Sequence, residues 1–404
     1  MSRFRIFGLF AAAYFLSYFY RSVNAIIAPD LSQELSLSAS QLGFMSSLFF
    51  AAYAVAQIPI GVSLDRWGPR YVVPGMMMLS VAGSLIFATA QSLLMLSIGR
   101  ALIGVGMASI LMGSLKAFSL WFPPHRFATA AGILMGIGSS GALAAATPLA
   151  WVSETVGWRA AFVWGALVIT LSAASIAFWT RNTPPNLSWP RAGATPGSLL
   201  AVFLNLSFWR IALMSLFVVG GMLAVQSLWA GPYLFDAVGL SKIAVGNMLL
   251  LMALGVVAGY VSFGWLADRF GLAWITLTGS SVFVLCQLAL ALGPPAALVS
   301  FVYLLFGLSG GTGTVLLSHA RLVFPPEMTG RVVSAVNLFG IAGVFLLQSL
   351  IGLIVDRFPV DTAGHYPPQA YTAAFLTTTA GTLLVLIWYL PLVRRSAVTP
   401  HGKA

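Results

Sequence analysis

Four basic side chains interrupt long apolar runs in this chain: Arg21, Arg100, Lys116 and Arg321. An ionisable group at bilayer depth costs at least ~2.5–3.5 kcal/mol, so each such residue needs a chemical reason to be there. The nine acids, Asp30, Glu34, Asp65, Glu154, Asp236, Asp268, Glu327, Asp356 and Asp361, all fall at run ends or in the polar stretches between runs. Cations with no acid at the same depth need an anion to satisfy them, and a visiting small anion can fill that role.

Arg21 shares a helical face with Tyr14 and Tyr18, at i, i+4 and i+7. A guanidinium offers a planar fork of donors that suits a carboxylate, and phenol hydroxyls can complete the shell. The plainer alternative is an arginine that snorkels to the interface. Arg321 follows a stripe of Gly307, Gly311, Thr314 and Ser318, which suits a cavity wall or close helix packing. It can equally cap its helix end. Lys116 and Arg100 share one run but sit about 160° apart around a helix axis, so both cannot face one cavity. Lys116 is the cargo candidate of the two. Gln226 and Trp229 lie on one face with Tyr233, beside a Gly231-Pro232 pair that should loosen the helix. Aromatic residues there line a cavity or form an interfacial belt. His319 can relay protons or pack as a neutral ring.

Other chemistries find no support. His125, His319, His365 and His401 lack metal-ligand spacing, and Cys286 is the only cysteine. No glycine-rich nucleotide loop opens a soluble domain, so no cofactor, metal, enzymatic activity or primary pumping is expected. A net charge of +11 is spread without a basic cluster, which argues against nucleic acid as a partner.

The elements that must position these residues are membrane helices. The chain is 59% hydrophobic and 7% charged, whereas soluble domains carry about 25% charged residues. Hydropathy and turn residues predict spans at 4–28, 41–64, 71–90, 93–120, 127–151 and 159–180, then 209–235, 243–266, 272–292, 297–321, 332–355 and 371–393. The long continuous runs predict helices rather than a barrel. The fold class expected is therefore all-α integral membrane, twelve helices as two six-helix bundles. Residues 1–180 form the first bundle, 181–208 a linker and 209–404 the second. The apolar core of the N-terminal run is too long for a signal peptide, so it reads as a retained span. With the N-terminus inside, thirteen Lys and Arg fall inside and three outside, which predicts cytoplasmic termini.

The halves repeat each other. Gly61-Val-Ser-Leu-Asp65-Arg66-Trp-Gly68 and Gly264-Trp-Leu-Ala-Asp268-Arg269-Phe-Gly271 lie 203 residues apart. Gly104 and Gly307 keep that spacing, and Phe122-Pro123-Pro124 and Phe324-Pro325-Pro326 lie 202 apart. A duplicated membrane half with one charged hinge in each copy is the pattern of a carrier built from repeats.

On these residues the chain resembles the major facilitator superfamily along essentially its full length. The loop Gly61-x-x-x-Asp65-Arg66-x-Gly68-x-Arg70 is similar to the family's cytoplasmic loop motif, and the second copy lacks only the last basic residue. Arg100-x-x-x-Gly104-x-Gly106 resembles its second motif. Gly132, Gly136, Gly138 and Gly141 resemble its glycine-proline motif, with Pro148 displaced, so antiport does not follow. The resemblance implies two bundles around a cavity working by rocker-switch alternating access. It makes Asp65, Arg66, Arg70, Asp268 and Arg269 gating residues and Arg100 a structural or coupling residue. The first run, with Arg21, Asn24 and Ala28-Pro29-Asp30, is similar to organic-anion branches of the family, such as the anion:cation symporters and sialin-like carriers.

The expected function is a secondary transporter of a small organic anion, a carboxylate by preference, in an inner membrane. Membrane lipids surround it, a proton or counter-anion is the second moving species, and a monomer suffices. An exporter of a carboxylate-bearing metabolite, siderophore or drug fits the same features. A transporter-like sensor would predict large soluble appendages, and the longest stretch between spans is 181–208.

Overall fold

The computed structural model describes residues 3–184, 202–324, 329–362 and 364–398. Every regular element among them is helical. Apolar runs without water must satisfy their backbone groups internally, and a helix does this within one segment. Among the described residues, eleven helices are long and apolar enough to cross a bilayer, and the bent pair Arg3–Ser22 and Asn24–Leu35, taken as one span, brings the number to twelve. Large apolar side chains such as Val55, Ile58, Trp164, Leu171, Leu384 and Ile387 are exposed on these helices. Water would penalise such surface heavily, whereas lipid does not.

The chain divides into two compact units, Met1–Ala194 with Lys242–Gly246, and Thr195–Ser241 with Asn247–Ala404. Of the linker expected at 181–208, residues 185–201 lie outside the described residues, as do Pro325, Pro326 and Glu327.

In the first unit the spans are Arg3–Leu35 (broken at Val23), Ala39–Trp67, Pro69–Ala88, Leu93–Trp121, Pro124–Thr155 (broken) and Trp158–Trp179. The second span starts on a capping box, in which the Ser38 side chain accepts from the Gln41 N–H and the Gln41 side chain accepts from the Ser38 N–H. The fourth span packs along the third and second, and the first packs on the fifth. The second unit holds Leu206–Ala237, Lys242–Phe270 from Asn247 onward, Leu272–Ala291, Ala296–Val323 (broken), Thr329–Val355 and Pro368–Val398. There the ninth span packs on the twelfth, and the seventh on the eleventh.

Several spans are less regular than their hydropathy suggests. The first breaks at Val23, bending 43°, and runs to Leu35 rather than ending at 28. The tenth breaks at Gly310 and Gly311. In the seventh, π-helical turns at Val225–Trp229 and Tyr233–Ala237 flank Ala230–Pro232. Pro232 has no N–H to give the ladder, and a neighbouring π turn absorbs the missing bond.

The duplication holds in three dimensions, unit by unit. A side chain added at Gly104 would strike the Phe49 carbonyl, and one added at Gly307 would strike the Met252 carbonyl. Phe49 and Met252 are themselves 203 apart, so each unit makes the same close crossing at the same register. Glycine is required at both, because the backbones touch there. The hinges match too. Gly68 N–H bonds the Leu64 carbonyl at 3.1 Å, and Gly271 N–H bonds the Ala267 carbonyl at 2.9 Å. Both glycines have positive φ, 77° and 91°.

Candidate functional site

Helical spacing alone puts Tyr14, Tyr18 and Arg21 on one face of the first span, and the structure brings them together. The Tyr14 and Tyr18 rings meet edge to face at 5.2 Å between centroids. The Arg21 guanidinium lies over Tyr18 at 4.6 Å and over Tyr53 of the second span at 5.4 Å. A guanidinium over a ring face is held by the ring quadrupole, and its planar fork of donors is a geometry that suits a carboxylate. Tyr14 is buried against Gly138, where any side chain would occupy the ring's space. Tyr53 was not foreseen as a partner. Its signal is faint: an uncharged ring one turn after Phe49, on a span with no charge before Asp65.

A second tier sits behind this cluster. Tyr53 stacks on Phe49 at 6.1 Å, and the guanidinium of Arg100 lies 4.9 Å from the Phe49 centroid. Arg100 is fully buried, and its Nη1 donates to the Tyr20 carbonyl at 2.8 Å. Tyr20 in turn shares a 2.7 Å hydrogen bond with Ser84, whose hydroxyl donates to the Phe162 carbonyl. Asn24 Nδ2 donates to the Ser46 hydroxyl at 2.7 Å. The first span is thus anchored by polar contacts on the second, third and fourth, and through Ser84 on the sixth.

Lys116 requires a correction. It was expected to await an anionic cargo, but its Nζ bonds Asp65 Oδ1 at 2.7 Å. The acid at the end of the second span reaches the fourth because the two spans pack along their lengths, which spacing in sequence could not reveal. The pair is 33% and 50% exposed, which makes it worth at most about 1 kcal/mol.

The rest of the hinge is more firmly tied. Arg70 Nε donates to the Ala177 carbonyl at 3.0 Å. Asn182 Nδ2 donates to the Trp67 carbonyl at 3.0 Å, while the Arg70 N–H donates to Asn182 Oδ1 at 2.9 Å. Trp121 Nε1 donates to the Arg181 carbonyl. Sequence reading missed Asn182, which looked like an ordinary loop residue. Arg66 lies beside the Trp67 ring at 5.3 Å. In the second unit, Arg269 sits near Trp265 and Phe270 at 5.7 and 5.6 Å, and among the described residues nothing lies within 4 Å of where a side chain at Gly271 would begin, the place that Asn182 occupies at Gly68.

The remaining candidates lie in the second unit. Asp268 and Arg321 line one cleft of about 620 Å³ with Tyr260, Thr314, Ser318 and Leu322. Arg321 itself is exposed. Gln226 and Trp229 are buried in the π turn Val225–Trp229. Trp229 Nε1 donates to the Gln348 carbonyl at 2.9 Å, and Gln348 Nε2 donates to Ser227 at 3.1 Å. The Trp229 donor is therefore occupied within the bundle. His319 Nδ1 shares a 2.6 Å hydrogen bond with the buried Tyr389 hydroxyl of the last span. No cluster of His, Cys, Asp or Glu among the described residues could hold a metal.

The profile of the Major Facilitator Superfamily matches residues 10–346 and 211–404. The chain belongs to this superfamily. It is 28% identical to a probable sulfoacetate transporter of Cupriavidus necator, over 91% of this chain and 82% of that one. It is 26% identical to the hexuronate transporter of Bacillus subtilis, over 95% and 94% of the two chains. A putative tartrate transporter of Agrobacterium vitis is 24% identical, over 95% and 90%. Among solved structures, a bacterial homologue of the human lysosomal transporter Spinster covers all of both chains, with a TM-score of 0.79 at 18% identity. The superfamily chain is thus a multi-pass membrane transporter and not an enzyme.

Proposed function

We propose that this transporter moves a small organic anion, a carboxylate by preference, by rocker-switch alternating access. The observation that supports the reading best is the Arg21 cluster, a guanidinium laid over Tyr18 and Tyr53 with Tyr14 beside it. A planar cation between phenol rings binds a planar oxyanion through its edge, and the rings exclude water from the contact. Relatives carry the names of sulfoacetate, tartrate and hexuronate, small acids of this chemistry.

In this reading Arg21, Tyr14 and Tyr18 contact cargo, with Arg321 a second cation in the other unit and Gln226 and Trp229 shaping the wall. Asp65, Arg66, Arg70, Asp268 and Arg269 serve the hinges, and Lys116 joins them through Asp65. Residues 1–180 and 209–404 are the two moving bundles, joined by 181–208. The setting is a bacterial inner membrane with both termini in the cytoplasm, and a monomer is the working unit. A proton carried on substrate or on His319, or a counter-anion, balances the charge moved.

The test is uptake of labelled carboxylates, sulfonates, phosphates and amines by proteoliposomes, with and without a proton gradient. Removing a buried charge partner costs about 2–5 kcal/mol, so Arg21→Ala should raise KM for the transported anion at least ~30-fold. Unchanged uptake by Arg21→Ala, or transport of amines alone, would remove the anion reading.

A further inference from the structure

Arg100 is fully buried and makes one hydrogen bond among the described residues. Its Nε and Nη2 are buried and have no hydrogen-bond partner among the described residues. A buried guanidinium used for a single bond is a costly arrangement, so that bond should matter to the molecule.

The bond lies at the break in the first span. Sharp helix kinks arise at proline, at π turns, or where a side chain enters the backbone ladder. The proline of this span, Pro29, is six residues beyond Val23. At the break itself, the Val23 N–H still reaches the Phe19 carbonyl at 3.1 Å. The next carbonyl along is that of Tyr20, and it accepts from Arg100 Nη1 at 2.8 Å. Arg100 therefore caps the C-terminal end of the segment Arg3–Ser22, a role suited to a cation at the negative end of a helix.

Arg21 is the residue next to that carbonyl. A second path links the same two arginines through rings: Arg100 over Phe49 at 4.9 Å, Phe49 stacked on Tyr53, and Tyr53 under Arg21 at 5.4 Å. Gly104, one turn beyond Arg100, seats the fourth span directly on the Phe49 backbone. Arg100 thus touches both supports of Arg21, the backbone that carries it and the ring beneath it.

We propose that Arg100 is the positioning residue for Arg21: it holds the first span broken at Val23 and so aims the Arg21 guanidinium. The inference concerns the span itself and stands apart from the identity of any cargo. One donor at this point is what the geometry uses, so a lysine can serve where an apolar side chain cannot.

The experiment reads the bend directly. Spin labels are placed at Gly8→Cys and Gln33→Cys in a Cys286→Ser background, in the full chain in lipid nanodiscs, without added cargo. Gly8 has open space around it and Gln33 is exposed, so both tolerate a label. At 1.5 Å rise per residue a straight helix would separate the two backbone positions by about 37 Å, and the observed bend shortens this to about 35 Å. With Arg100→Met the distance should lengthen by about 2 Å or its distribution should broaden clearly, while Arg100→Lys should keep the parental value. A parental distance and width in Arg100→Met would overturn the proposal. So would a shifted distance in Arg100→Lys, which decides the matter even if the methionine variant does not fold.

Discussion

Gly68 and Gly271 occupy equivalent hinges, yet the same substitution should cost them different amounts. Gly68 has φ 77° and ψ 163°, and Gly271 has φ 91° and ψ 141°. An alanine in such a region costs of order 1–3 kcal/mol at either site. At Gly271 the added carbon meets nothing within 4 Å among the described residues, so strain is the cost that the packing there implies. At Gly68 it would land on the Asn182 carboxamide, which would have to withdraw. Its two hydrogen bonds, at 3.0 and 2.9 Å, would go with it. At roughly 0.5–1.5 kcal/mol each, that loss adds about 1–3 kcal/mol to Gly68→Ala. Asn182→Ala should lose the same bonds by itself. In the double variant they can be lost only once, so the two costs should fall short of additivity by about 1–3 kcal/mol. Detergent-solubilised protein titrated with SDS and followed by tryptophan fluorescence would supply the comparison. Equal costs for Gly68→Ala and Gly271→Ala, or a strictly additive double variant, would show that Asn182 does not clasp the first hinge.

Three further outcomes follow from the same packing. Asp65→Asn and Lys116→Met should each lower stability by less than about 1 kcal/mol, because their pair is half-exposed; either should alter transport rate, and the charge swap Asp65→Lys with Lys116→Asp should restore it. A side chain at Gly104 or Gly307 meets backbone in each unit, so alanine there should destabilise by about 1–3 kcal/mol or more. Gly61, with nothing within 4 Å of an added carbon among the described residues, is the control, and its alanine variant should fall within about 0.5 kcal/mol of the parent in the same titration. Tyr389→Phe leaves the buried His319 Nδ1 without its partner and should cost about 1–3 kcal/mol, whereas a free, solvated histidine would make that substitution neutral.

Much of the fold was legible because lipid imposes one demand everywhere: apolar length and internal hydrogen bonding. Span number, helical class and the repeated hinges follow from that demand and from the 203-residue register. The breaks at Val23 and Gly310 were not legible, since hydropathy averages over a window longer than a kink. In the site, Tyr14, Tyr18 and Arg21 could be grouped because helix geometry alone relates them. Tyr53, Phe49 and Asn182 could not, because each enters from another segment.

Residue order is enough to specify a two-fold-repeated helical membrane protein of the superfamily, carrying a cation on a tyrosine face of its first span. Tertiary packing alone decided which charges are spent internally. Lys116 meets an acid 51 residues away and Arg100 a carbonyl 80 residues away. Both partners arrive through the crossing of helices. That crossing is set by backbone approach at glycines such as Gly104, and no local pattern of residues encodes what a neighbouring helix will present.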